Sequence, residues 1–166
     1  MSDGWPDGGL IEDYGPAWHP GPFERGTDGP RVILAGVDGS PTGMRAGAYA
    51  GGLARRQRSR LVIVYVATPS VWTAMAATAA AAQEQLFDDQ IQELRTQIRD
   101  RAAEFGISTT FLVRRGDAFT ELRDAAIELR ADMVVVGASE QAGHRFIGSV
   151  AARLVRAGRW PVTVVP

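Results

Sequence analysis

Read along the chain, apolar and polar positions fall into a regular alternation from Arg31 onward. RVILAGV (31–37) is a short apolar run rich in β-branched residues, which fits a strand buried on both faces. Ser40 and Pro41 follow as a capping residue and a favoured first helical residue. The helix they open sets Ala46, Ala50, Leu53 and Ala54 on one stripe, small enough to lie close to a sheet. RLVIVYV (60–66) reads as a second strand. Residues 83–105 form the clearest helix, with Phe87, Ile91, Leu94, Ile98, Ala102 and Phe105 spaced by threes and fours and Gly106 to end it. STTFLVRR (108–115) is a third strand, 118–130 a third helix with Leu122, Ala126 and Leu129 inward, and DMVVVG (132–137) a fourth strand. Gly148 or Ser149 opens a fourth helix that stops near Gly158, and WPVTVV (160–165) is a fifth strand. Strands alternating with helices predict a doubly wound, Rossmann-like α/β domain with a parallel sheet and right-handed crossovers.

Residues 1–30 break this pattern. They are dense in Gly, Pro and Asp, nearly free of aliphatic residues and without period, so they read as a flexible N-terminal tail ahead of a domain at 31–166. Trp5, Tyr14, Trp18 and Phe23 qualify that reading, since such aromatics can pin an arm to a groove.

Composition narrows the chemistry. The 166 residues suffice for one sizeable core, and the net charge of −1 argues against a nucleic-acid binder. The chain has no cysteine, which excludes disulfides, zinc–thiolate sites and thiol catalysis. All 18 basic residues are arginine, so Schiff-base chemistry and the lysine of a Walker loop are excluded too. Two histidines, His19 and His144, make a multi-histidine metal site improbable. With no apolar run of membrane-spanning length and no basic, apolar leader, a soluble cytoplasmic protein is expected.

In a doubly wound sheet, ligands sit beyond the carboxyl ends of the strands, where the winding reverses. Two segments stand there: Val37-Asp38-Gly39-Ser40-Pro41 after strand one, and 137–150 after strand four. The second is glycine-spaced and runs into a helix N-terminus, a setting in which backbone N–H groups and the helix dipole favour a phosphate.

VDGS, then VVVGAS, GHRFIGSVAARLV and a terminal PVTVVP, in this order and spacing, resemble the universal stress protein family over about 31–166. The resemblance implies strand order 3-2-1-4-5 and binding of ATP, or AMP or ADP, with Mg2+ as an accompanying ion. Carried over position by position, it implicates Asp38, Val66, Gly137, Gly143, Gly148, Ser149 and Val150. It also implies a homodimer paired antiparallel through strand 160–165. The chain departs from the family's G-x2-G-x9-G-[ST] pattern: Glu140 stands three places after Gly137, and Gly137 to Gly148 is two residues short. Gly143 then stands in for the missing glycine, with His144 and Arg145 as nearby donors. Plainer roles exist as well: Asp38 as a turn residue, Gly137 and Gly148 as packing glycines, Ser149 as a helix cap. Three function classes follow: a nucleotide-dependent stress-response protein acting by association or signalling, a slow ATPase on the same site, or an interaction module of this fold without a ligand.

Overall fold

The structure, a computed structural model, describes residues 29–68, 77–139 and 148–166. Nine elements alternate among them: β1 (Val32–Val37), α1 (Pro41–Gln57), β2 (Arg60–Ala67), α2 (Ala77–Phe105), β3 (Thr109–Arg115), α3 (Ala118–Glu128), β4 (Met133–Gly137), α4 (Ser149–Ala157) and β5 (Val162–Val165). The five strands form one sheet in the order β3-β2-β1-β4-β5, and every pairing is parallel. This is the predicted doubly wound fold, with two helices on each face.

Side-chain alternation along the strands sorts the core into two layers. Ile33, Ala35, Val37, Ile63 and Tyr65 face α1 and α2, while Leu34, Val62, Val64, Val134 and Val136 face α3 and α4. On α1, Ala46, Ala50 and Ala54 are fully buried, so the helix backbone lies close to the sheet as its alanine stripe predicts. Leu94 is the deepest contact of α2, and Leu154 that of α4.

The element boundaries move for local reasons. Helix α2 begins at Ala77, six residues before the expected start, because its opening alanines form helix strongly yet carry no apolar period. Helix α3 stops at Glu128, since Leu129 caps it and Arg130 turns left-handed at φ 51. Strand β5 begins at Val162, after a proline with no N–H to donate. Gly106 does take the left-handed conformation, φ 61, behind α2. One expectation fails: Phe105 is not on the buried stripe but 38% exposed, lying under the guanidinium groups of Arg55 and Arg101. At the other end of the sheet, the Asp132 carboxylate accepts from the Arg31 and Val32 N–H groups at 2.8 and 2.9 Å, fixing the start of β1 against β4. No described helix is long and apolar enough to cross a membrane.

Candidate functional site

Strand β1 has β2 on one side and β4 on the other, so the chain reverses its winding direction at its carboxyl end. There Asp38 follows directly on β1. Its Oδ1 accepts from the Ser40 N–H at 3.0 Å and from the Ser40 hydroxyl at 2.6 Å. The same Ser40 oxygen accepts the Gly43 N–H at 3.1 Å, capping α1. Asp38 is therefore partly the turn residue of the plainer reading, but only through one oxygen. Its Oδ2 takes no hydrogen bond among the described residues.

Thr42 joins the two loops of the switch point. Its hydroxyl donates to the Ala138 carbonyl at 2.7 Å and is buried between α1 and the end of β4. Its proton is thus committed, as is that of Ser40, so the 3.3 Å approach of the two hydroxyl oxygens adds no strong bond. Gly137 stands under this junction. A Cβ there would lie 2.6 Å from Thr42 C and from Gly43 N, so backbone packing alone requires glycine. At Gly148 a Cβ would lie 3.0 Å from the Ser139 Cβ, a tight contact that keeps the start of α4 close to the end of β4.

A cavity of about 110 Å³ opens at this point, lined by Asp38, Thr42, Val66, Leu122, Gly137 and Val150 among others. Four of the seven expected site residues (Asp38, Val66, Gly137 and Val150) thus meet around one space. Gly148 is the N-cap residue of α4, and Ser149 is its exposed first residue, so Ser149 does not cap the helix. Gly143, with Glu140, His144 and Arg145, lies outside the described residues. Sequence reasoning missed Thr42, whose position two residues after the Ser40 cap was its one available signal, and the α3 residues Ala118 and Leu122.

The first turns of three helices reach this region, and their capping differs. Ser40 caps α1, and Asp117 caps α3 by accepting from the Thr120 N–H at 2.9 Å. That bond first, and then the Arg153 guanidinium, hold the Asp117 carboxyl below the usual carboxylate range. Helix α4 has no side-chain cap, so its first N–H donors are not taken up in that way. Beside the site, burial and then the Asp38 charge push the Tyr65 phenol up, keeping it neutral. Among the described residues no group of three or more acidic or histidine side chains is arranged to hold a metal.

An all-parallel sheet in the order β3-β2-β1-β4-β5, with helices on both faces and a small cavity at its switch point, defines a Rossmann-like α/β protein. The profile of the Universal stress protein family matches residues 30–166, and the chain belongs to that family. A universal stress protein of Methanocaldococcus jannaschii is 25% identical over 138 residues, 81% of each chain. Among solved structures, the universal stress protein UspA of Lactobacillus plantarum superposes with a TM-score of 0.68 at 22% identity, over 81% of this chain and 97% of that one. A universal stress protein solved in complex with cAMP is 25% identical, with a TM-score of 0.62, over 82% of this chain and 97% of that one.

Proposed function

We propose that this protein binds an adenine nucleotide at the β1/β4 switch point and acts by nucleotide-dependent association rather than by turnover. The observation that carries the reading is the pairing of the open Asp38 Oδ2 with the uncapped start of α4 across one cavity. A carboxylate oxygen of this kind accepts from ribose hydroxyls, and N–H groups at a helix N-terminus without a side-chain cap donate to phosphate oxygens with favourable dipole charge. Val66 lines the side towards β2, where the base would lie, and Gly137, Gly143, Gly148, Ser149 and Val150 would border the phosphates. The binding of cAMP by a relative 25% identical agrees with an adenine nucleotide as the ligand class. Mg2+ would enter with the phosphates, since such ions are held largely by phosphate and water and by one or two carboxylates.

Titration calorimetry with ATP, AMP and cAMP tests the site. Asp38→Asn keeps a carbonyl oxygen for the two Ser40 donors and turns an amide towards the ligand. It should leave folding intact and weaken binding about 10- to 100-fold, the worth of one hydrogen bond to a charged group. Gly148→Val, which crowds Ser139 and the start of α4, should abolish binding. A wild type that binds none of the three nucleotides, or a Gly148→Val protein that binds as tightly as wild type, refutes the placement. Incubation with labelled ATP, separating bound from hydrolysed label, discriminates the slow ATPase.

We also propose that two copies pair through β5. This strand is one edge of the sheet and carries no charge, whereas the opposite edge, β3, carries Arg114 and Arg115 in ion pairs with Glu128 and Glu84. Charge on an edge strand discourages pairing, and a flat uncharged edge invites it.

A further inference from the structure

A second cavity among the described residues, larger than the one at the switch point, lies away from the site just described. It is a groove of about 830 Å³ between α1 and α2, floored by Leu61, Ile63 and Leu94 and walled on α1 by Gly47, Gly51 and Gly52. Arg55, Arg101 and Phe105 close its lower end, the end at which the strands begin.

Residues 29 and 30 place the N-terminal segment at that same end. The Ser59 hydroxyl donates to the Pro30 carbonyl, and a side chain at Gly29 would run into the Gln57 amide, at the end of α1. The Gln57 Oε1 is buried and has no hydrogen-bond partner among the described residues. Charge points the same way. Residues 1–28 hold six acids and one arginine, a net −5, and residues 29–166 hold thirteen acids and seventeen arginines, a net +4. Arg55 and Arg56 stand in the last turn of α1 and Arg58 at its C-cap, and none of the three makes an ion pair among the described residues.

We propose that residues 18–28 of the same chain fold back along this groove, with Phe23 and Trp18 seated between α1 and α2. The reach is sufficient. From Met44 to Arg55 the groove runs about 17 Å along α1, and the six steps from Gly29 back to Phe23 span up to about 20 Å. Asp28 then lies near the arginines at the end of α1, and the chain departs over the Gln57 amide. The two aromatic side chains fill the space that the glycines of α1 leave beside α2.

Hydrogen-exchange mass spectrometry on the full chain tests this docking. Amides of residues 18–28 should exchange at least about tenfold more slowly than an unstructured chain, independently of protein concentration. Gly51→Leu fills the groove, since a Cβ there has only the tip of Leu61, 3.9 Å away, and leucine suits a helix better than glycine. It should release the arm, as should a Trp18→Ser/Phe23→Ser double substitution, which touches none of the described residues and should leave β1 and β4 protected. Three results overturn the proposal. They are wild-type amides at the unstructured rate, protection that survives Gly51→Leu, and protection lost on dilution, which would mark docking between copies.

Discussion

Replacing Gly137 by alanine should unfasten the switch point, and the structure sets the scale of the damage. The new Cβ would lie 2.6 Å from Thr42 C and Gly43 N and 2.8 Å from Thr42 O, all of them backbone atoms that cannot swing aside. Carbon contacts settle near 3.5–4.0 Å, so β4 and the first turn of α1 must part by about 1 Å. Overpacking of this kind costs about 1–3 kcal/mol. The 2.7 Å bond from Thr42 to the Ala138 carbonyl would be stretched out of range, at a further cost of about 1 kcal/mol. A total near 3 kcal/mol is a large part of an ordinary domain's stability of about 5–15 kcal/mol. Urea unfolding should show a lower midpoint at unchanged slope, and the melting temperature should fall by about 10 °C. Gly52→Ala serves as control: a Cβ there meets nothing within 4 Å, so it should be neutral or mildly stabilising. If Gly137→Ala unfolds within about 0.5 kcal/mol of wild type, below the usual cost of overpacking, the packing argument is wrong.

Asp117→Ala should cost about 1 kcal/mol at pH 7 through loss of the α3 cap. Because the folded-state pKa of Asp117 is lowered, its contribution is present above the unfolded value near 4 and is lost as pH falls through the folded value, so the wild-type/variant gap should close in acid; an equal gap at pH 7 and at pH 2 contradicts this. Val164→Pro should convert a β5-paired dimer to monomer in light scattering without unfolding it; a wild type that is monomeric at tens of micromolar, or a dimer indifferent to the substitution, rules β5 out. The reason for that choice is that the Pro161 and Val165 carbonyls accept from Val134 of β4 and from Ala138 just beyond it, so the alternating Val162 and Val164 direct their N–H and C=O groups to the open edge.

Periodicity made the fold legible because each element obeys one rule locally: buried apolar runs for β1, β2 and β4, the Ser40–Pro41 start of α1, and threes and fours along α2. It failed where local chemistry has no period, as in the alanines that open α2, or where two elements decide together. Phe105 fits the apolar stripe of α2, yet Arg55 of α1 and Arg101 draw it to the rim. Of the candidate site, the sequence made legible that Asp38, Val66, Gly137 and Val150 meet around one cavity, but not their local roles. Asp38 and Gly137 stand in the sequence as a carboxylate and a glycine near the ends of two strands. Only the fold shows that one Asp38 oxygen is spent on Ser40 and that Gly137 is needed first for backbone clearance. Thr42 was invisible because its partner, Ala138, is 96 residues away and contributes only a carbonyl.

The pattern of hydrogen bonds around Asp38 also bears on binding against turnover. Two donors from Ser40 fix the carboxylate before any ligand arrives, so its open oxygen is presented without further ordering cost. Phosphoryl transfer asks for more: a base or water-positioning group near the phosphates, and cationic or metal charge across the transferring oxygens. Apart from Asp38, the cavity named above is lined by Thr42, whose proton is already given to Ala138, and by glycine, valine, alanine and leucine. The chain has no lysine to clamp a phosphate. Under the proposed binding, what the described residues of this wall would offer a nucleotide is a fixed acceptor, close backbone approach and a helix terminus, all of which act on the ground state as much as on a transition state. Interactions of that kind lower a dissociation constant without raising a turnover rate.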